Sequence, residues 1–176
     1  MNPDLFLLFD ALAVAVAAAV MDVQQHRIPN WLTYPTIVAG VLLRSYLFGR
    51  SGMWTAVAGC LLVGGIIFVF YAVRAMGGGD LKLMAGLGAL LGPRDAVTML
   101  LATAIAGGVL ALVYAGYRGQ MRSTLGNVGT VVKFHAWGGL QAHPELNLDN
   151  PAALRMPYGL AIAVGTLYTF VTATWR

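Results

Sequence analysis

Residues 5–21, 31–48, 53–73, 96–117 and 158–175 are almost unbroken apolar runs, each long enough to cross about 30 Å of hydrocarbon as helix. A shorter run, 81–91, makes a sixth. Only 10% of the side chains are charged and 59% are apolar, against about 25% charged in an ordinary soluble domain. The expectation is an all-α, polytopic membrane bundle of about six transmembrane helices, forming one domain over residues 1–176. One longer cytosolic or interfacial loop, 118–156, lies between the fifth and sixth helices.

The first run is apolar and N-terminal, as a cleaved signal peptide would be. It has no basic segment ahead of it and carries Asp4 and Asp10, so a retained helix is expected. Cys60 is the single cysteine, which excludes an internal disulfide and a thiolate zinc site. The net charge of +4 comes from scattered loop residues and forms no basic stripe of the kind that binds nucleic acid. Its role is read as topological. Placing Arg27, Arg74, Lys82, Arg118, Arg122, Lys133 and Arg155 inside, against Arg44, Arg50, Arg94 and Arg176 outside, sets the first helix running inward.

The runs are punctuated by Arg27-Ile28-Pro29-Asn30, by residues 49–52, by Gly77-Gly78-Gly79 and by Gly92-Pro93-Arg94, which combine helix breakers with polarity. In the long loop, Val128, Val131, Val132, Phe134 and Trp137 are expected to line an interfacial face. Tyr34, Trp54, Tyr71, Trp137, Tyr158 and Trp175 lie at or beside run ends, where amphipathic rings favour the headgroup zone. Glycines within the runs, such as Gly64-Gly65, Gly88, Gly92 and Gly107-Gly108, let helix backbones approach closely.

Ionisable groups at a membrane edge are costly and mark function by default. Of the seven acids, Asp4 sits at the chain end, Asp95 in a tight turn, and Glu145 and Asp149 in the long loop. Asp10 lies about 18 Å of helix from Asp22, toward the opposite leaflet. Asp22 closes the first run and Asp80 opens the fourth, with two complete crossings between them, so both face one compartment. Two further crossings bring Met156-Pro157-Tyr158-Gly159 to the same face, provided that the short run from Leu81 crosses. Eleven residues span only about 17 Å, so that helix is expected to recruit Asp80 and residues past Gly92, or to lie in a protein-lined site.

Asp22 and Asp80 therefore form a candidate dyad for hydrolysing an amide. Two carboxyls sharing a site do not both ionise cheaply, so one takes a proton from water while the other, protonated, polarises the carbonyl. The glycines before Asp80 allow an extended backbone to approach closely and turn into helix. The same residues also fit a proton relay in a small proton-coupled transporter or channel subunit, or an interhelical loop of purely structural use. His26 is read as a loop residue, because Pro29 ends the helix that would carry it past Asp22. His135, His143 and Glu145 lack the spacing of a helical His-Glu-x-x-His metal motif, so no metal is expected. The glycine run lacks the Gly-Lys-Ser/Thr ending of a phosphate loop.

Asp22 followed by Arg27-Ile28-Pro29-Asn30, then Gly77-Gly78-Gly79-Asp80-x-Lys82, then Met156-Pro157-Tyr158-Gly159, together resemble the type IV prepilin peptidases, polytopic aspartyl proteases of the Gly-x-Gly-Asp kind. The resemblance implies that Asp22 and Asp80 are the catalytic pair and that Gly77, Gly79 and Lys82 match the motif around the second aspartate. It marks Pro29 and Asn30 as motif support, and Pro157, Tyr158 and Gly159 as a wall of the substrate groove. It implies no cofactor, and as partners a prepilin or pilin-like precursor and membrane lipid. The precursor's short basic leader would be cut at the cytoplasmic face of a prokaryotic inner membrane.

Larger members carry a cysteine-rich insert between the first two helices and N-methylate their product. Here eight residues, 23–30, join those helices, which resembles the short form serving tight-adherence (Flp) pili, and N-methyl transfer is not expected. Met156 stands where isoleucine is commoner. The Tyr-Asp pair and the Pro-Ala-Leu motif of presenilin-like proteases are absent, since Met21 precedes Asp22 and Met156-Pro157-Tyr158 replaces the third element.

Overall fold

In a computed structural model of the chain, the described residues are 3–119, 121, 126, 127, 129, 130, 134 and 156–175. Four helices are delimited among them: α1 (Pro3–Gln25), α2 (Asn30–Ala72), α3 (Gly78–Tyr117) and α4 (Tyr158–Thr174). The first three are long and apolar enough to cross a membrane. Val128, Val131, Val132, Trp137, His135, His143, Glu145 and Asp149 lie outside the described residues, and so does most of the expected 118–156 loop.

α1 buries one stripe, Leu7, Ala11, Ala15, Ala18 and Asp22, at helical spacing and turns Phe9, Val16, Val20 and Val23 outward. An apolar exterior is what lipid requires. The helix stops at His26, whose φ of 50° breaks the spiral while its N–H still bonds the Asp22 carbonyl at 2.8 Å. Pro29, extended at φ −73° and ψ 146°, then caps α2.

α2 would extend about 65 Å if its 43 residues ran straight. It does not. At Gly49 the backbone adopts φ 64°, ψ −146°, a region open essentially to glycine alone, and the two arms fold back on each other. Both arms pack on the same stretch of α3. A Cβ added at Gly40 would lie 2.8 Å from that of Ala89, one at Gly64 would lie 3.2 Å from that of Ala85, and Gly59 rests directly on the Gly88 carbonyl. α3 repeats the device at Gly92 (φ 74°, ψ 171°), just before Pro93.

The residues at 49–52 and 92–94 were expected to form short loops. The chain does break there, at one non-helical glycine in each, Gly49 and Gly92, with helical backbone resuming at the next residue. The short arm of α3 takes in Asp80, as its length requires, and stops at Gly92 rather than past it. It is protein-lined, with every residue from Leu83 to Gly92 buried.

A helix end buried in apolar surroundings leaves carbonyls without partners. Here Arg44 supplies them. Its Nε and Nη2 donate to the carbonyls of Leu90 and Leu91 at 2.9 and 2.8 Å, and its Nη1 donates to Thr55 Oγ1 at 3.0 Å. Asp4 stands 3.8 Å from the same guanidinium. α4 lies against the second arm of α3, with Gly165 on Thr103 and the Tyr158 ring on Gly107.

Candidate active site

Asp22 ends the buried stripe of α1, and Asp80 sits in the first turn of α3 beyond its capping residue Gly77 (φ −75°, ψ 149°). Both line one cleft of about 230 Å³, closed by residues 26–28 and 77–79. Asp22 is only 7% exposed, whereas Asp80 is half-buried.

The glycines before Asp80 sit close to different neighbours. A Cβ at Gly79 would lie 3.1 Å from the Cβ of Ile28 and 3.2 Å from its carbonyl oxygen, so the 26–28 turn lies directly on the glycine run. At Gly77 a Cβ would stand 3.0 Å from Asp80 Oδ2. Gly78 is roomier, meeting only the Tyr71 ring at 3.4 Å. Close approach of two backbones and a carboxylate is what makes side chains unwelcome at 77 and 79.

Lys82 fastens the two loops together. Its Nζ donates to Asn30 Oδ1 at 2.9 Å and stands 4.7 Å from the centre of the Tyr34 ring, joining the start of α3 to the start of α2. Pro29 caps the helix that Asn30 begins, and neither these two residues nor Lys82 is among those that line the cleft. His26 and Arg27 line its mouth.

On the far side of Asp22, the Gly159 backbone N–H donates to Asp22 Oδ2 at 2.7 Å in a buried contact. Pro157 caps α4, and Tyr158 packs on Gly107. The sequence marked this tripeptide but gave no sign of that bond, because the donor is a main-chain group that every residue except proline carries. The remaining described acids lie elsewhere. Asp4 and Asp95 both act on Arg44, at the opposite end of the short α3 arm, and Asp10 lies on α1 about 18 Å from Asp22.

The chain matches the type IV leader peptidase family over residues 9–112, more than half of its length and including Asp22 and the Gly77–Asp80 run. It is 35% identical over 120 residues to a prepilin leader peptidase/N-methyltransferase of Burkholderia pseudomallei, a match covering 65% of this chain and 38% of the relative. To the protein of the same name from Stutzerimonas stutzeri it is 30% identical over 125 residues, 68% of this chain and 41% of the relative. The Klebsiella pneumoniae protein of that name is 34% identical over 87 residues, 46% of this chain and 38% of the relative. The chain thus spans about two fifths of the length of these relatives. No solved structure matches it significantly. With its long apolar helices and a family match that takes in the cleft, the chain is an integral membrane protein belonging to the type IV leader peptidase family.

Proposed function

We propose that this protein is a membrane aspartic endopeptidase that removes the short basic leader from a prepilin or pilin-like precursor, with Asp22 and Asp80 as its catalytic pair. The observation that carries the reading is that these two acids, contributed by different helices, line one small cleft. One carboxylate takes a proton from water as the oxygen attacks the scissile carbonyl, and the other, protonated, donates to the carbonyl oxygen. Collapse of the intermediate breaks the C–N bond and returns a proton to the departing amine. The step assigns no metal or cofactor.

In this reading Gly49 and Gly92 divide α2 and α3 into separate crossings, six in all, within one membrane domain. Arg27, Arg74, Lys82 and Arg118 then share the face of the cleft, while Arg44, Arg50 and Arg94 take the other. That distribution supports a cleft facing the cytoplasm of a prokaryotic inner membrane, where a precursor helix held in lipid would present its leader junction. Residues 26–29 alone join α1 to α2, so the reaction proposed stops at hydrolysis, with a tight-adherence (Flp-type) pilin as the substrate.

The test is trimming of a precursor by the protein reconstituted in vesicles, with the product N-terminus read by mass. Asp22→Asn and Asp80→Asn should each slow cleavage by roughly 10²–10⁴-fold while the protein inserts normally. Trimming that survives either change at near the original rate removes the carboxylate mechanism and leaves the acids a relay or structural use.

A further inference from the structure

We propose that Gly159 is a positioning residue for Asp22, acting through its backbone N–H. This rests on the peptidase reading and assigns a task to the third motif, which had been expected to form a groove wall.

The first N–H groups of any helix have no partner within it. Pro157 caps α4, Tyr158 is its first residue and Gly159 its second, so the Gly159 N–H is one of those orphan donors. It is spent on Asp22 Oδ2, buried and 2.7 Å away. Bonds from an N–H to a carboxylate are among the short, strong class. The start of α4 also presents the positive end of its dipole to that acid.

Position 159 admits no side chain in this arrangement. A Cβ there would lie 2.9 Å from Asp22 Cβ, 3.1 Å from its Oδ2 and 3.3 Å from Ala19 Cα, so it would press on α1 itself rather than on a flexible tip. α4 has little freedom to retreat, because the neighbouring Tyr158 ring is seated on Gly107, where a Cβ would stand 2.8 Å from the ring. Asp22 therefore enters the cleft with one oxygen held by main chain. Its other oxygen, Oδ1, is the one that exchanges a proton with water. The charged and titratable groups that line the cleft with it are Asp80 from α3 and His26 and Arg27 from the turn after α1, while Tyr158 of α4 lies near Asp80.

An amide-to-ester exchange at residue 159, made by nonsense suppression with the α-hydroxy analogue of glycine, removes the donor without adding an atom to the side chain. The expected result is a fall in kcat of roughly 10–100-fold, the size of loss that follows when a catalytic group is misplaced. KM should stay within about twofold, since uniform substrate binding is untouched. The same exchange at Leu160, whose N–H turns back toward the Pro157 carbonyl at 3.4 Å, is the control and should leave kcat within about twofold. Gly159→Ala should lose cleavage by at least as much as the ester. An unchanged kcat at 159, or an equal fall at 160, overturns the proposal. If Asp22→Asn is inactive in the same assay, that failure leaves the peptidase reading standing; if Asp22→Asn is active, both fall.

Discussion

At Gly79 the missing side chain matters because Ile28 occupies the ground that a Cβ would need, while one residue earlier the space is ordinary. Gly79→Ala must push the 26–28 turn away from the cleft by a few tenths of an ångström. It should lower kcat/KM about tenfold, as small displacements of reacting groups do. Gly78→Ala, meeting only the edge of Tyr71 at 3.4 Å, should change it by no more than about twofold. Equal losses at the two positions, in a precursor-trimming assay at matched protein levels, would show that the run is sensitive for another reason. The two acids stood out in the sequence because carboxylates at membrane edges are rare and costly. The Gly159 bond did not, since a main-chain donor leaves no mark on residue type. The Lys82 contact with Asn30 was hidden for a different reason: it joins residues that only the fold brings together.

Among the elements, the short arm of α3 is held at both ends, by Lys82 near Asp80 and by Arg44 at the Gly92 break. Arg44→Met would leave the Leu90 and Leu91 carbonyls without their donors, at a cost of about 1–3 kcal/mol. A lowered melting temperature in detergent, partly restored in Arg44→Lys, is the expected result. The glycines of the second α2 arm make a sharper pair. Gly65 has nothing within 4 Å of an added Cβ, so Gly65→Ala should be neutral or stabilise by up to about 1 kcal/mol. Gly59 sits on the Gly88 carbonyl, and Gly59→Ala should destabilise by about 1–3 kcal/mol through overpacking. Thermal melts of the two variants that move together would contradict that packing. The apolar runs located these helices to within a few residues. What the runs did not convey was that α2 and α3 reverse at single glycines, because Gly49 and Gly92 look in sequence like any other loop glycine and only their backbone angles set them apart.

At the scale of the whole molecule, two folded-back helices put the start of α3 beside the end of α1 and the start of α4. Three sequence motifs from distant parts of the chain thereby meet at one end of the bundle. Parity of crossings anticipated that meeting, whereas the order of burial around it, with Asp22 buried and Asp80 partly exposed, depends on how the helices pack. The account requires that the two acids work as a unit rather than as separate contributors. Residues that share one step give grossly non-additive losses when changed together. The decisive measurement is single-turnover cleavage of a precursor by Asp22→Asn, Asp80→Asn and the double variant. The account predicts a double variant no more than about threefold slower than the slower single one, because either change already disables the pair. Losses that multiply would mean that the two carboxylates act independently, and would contradict it.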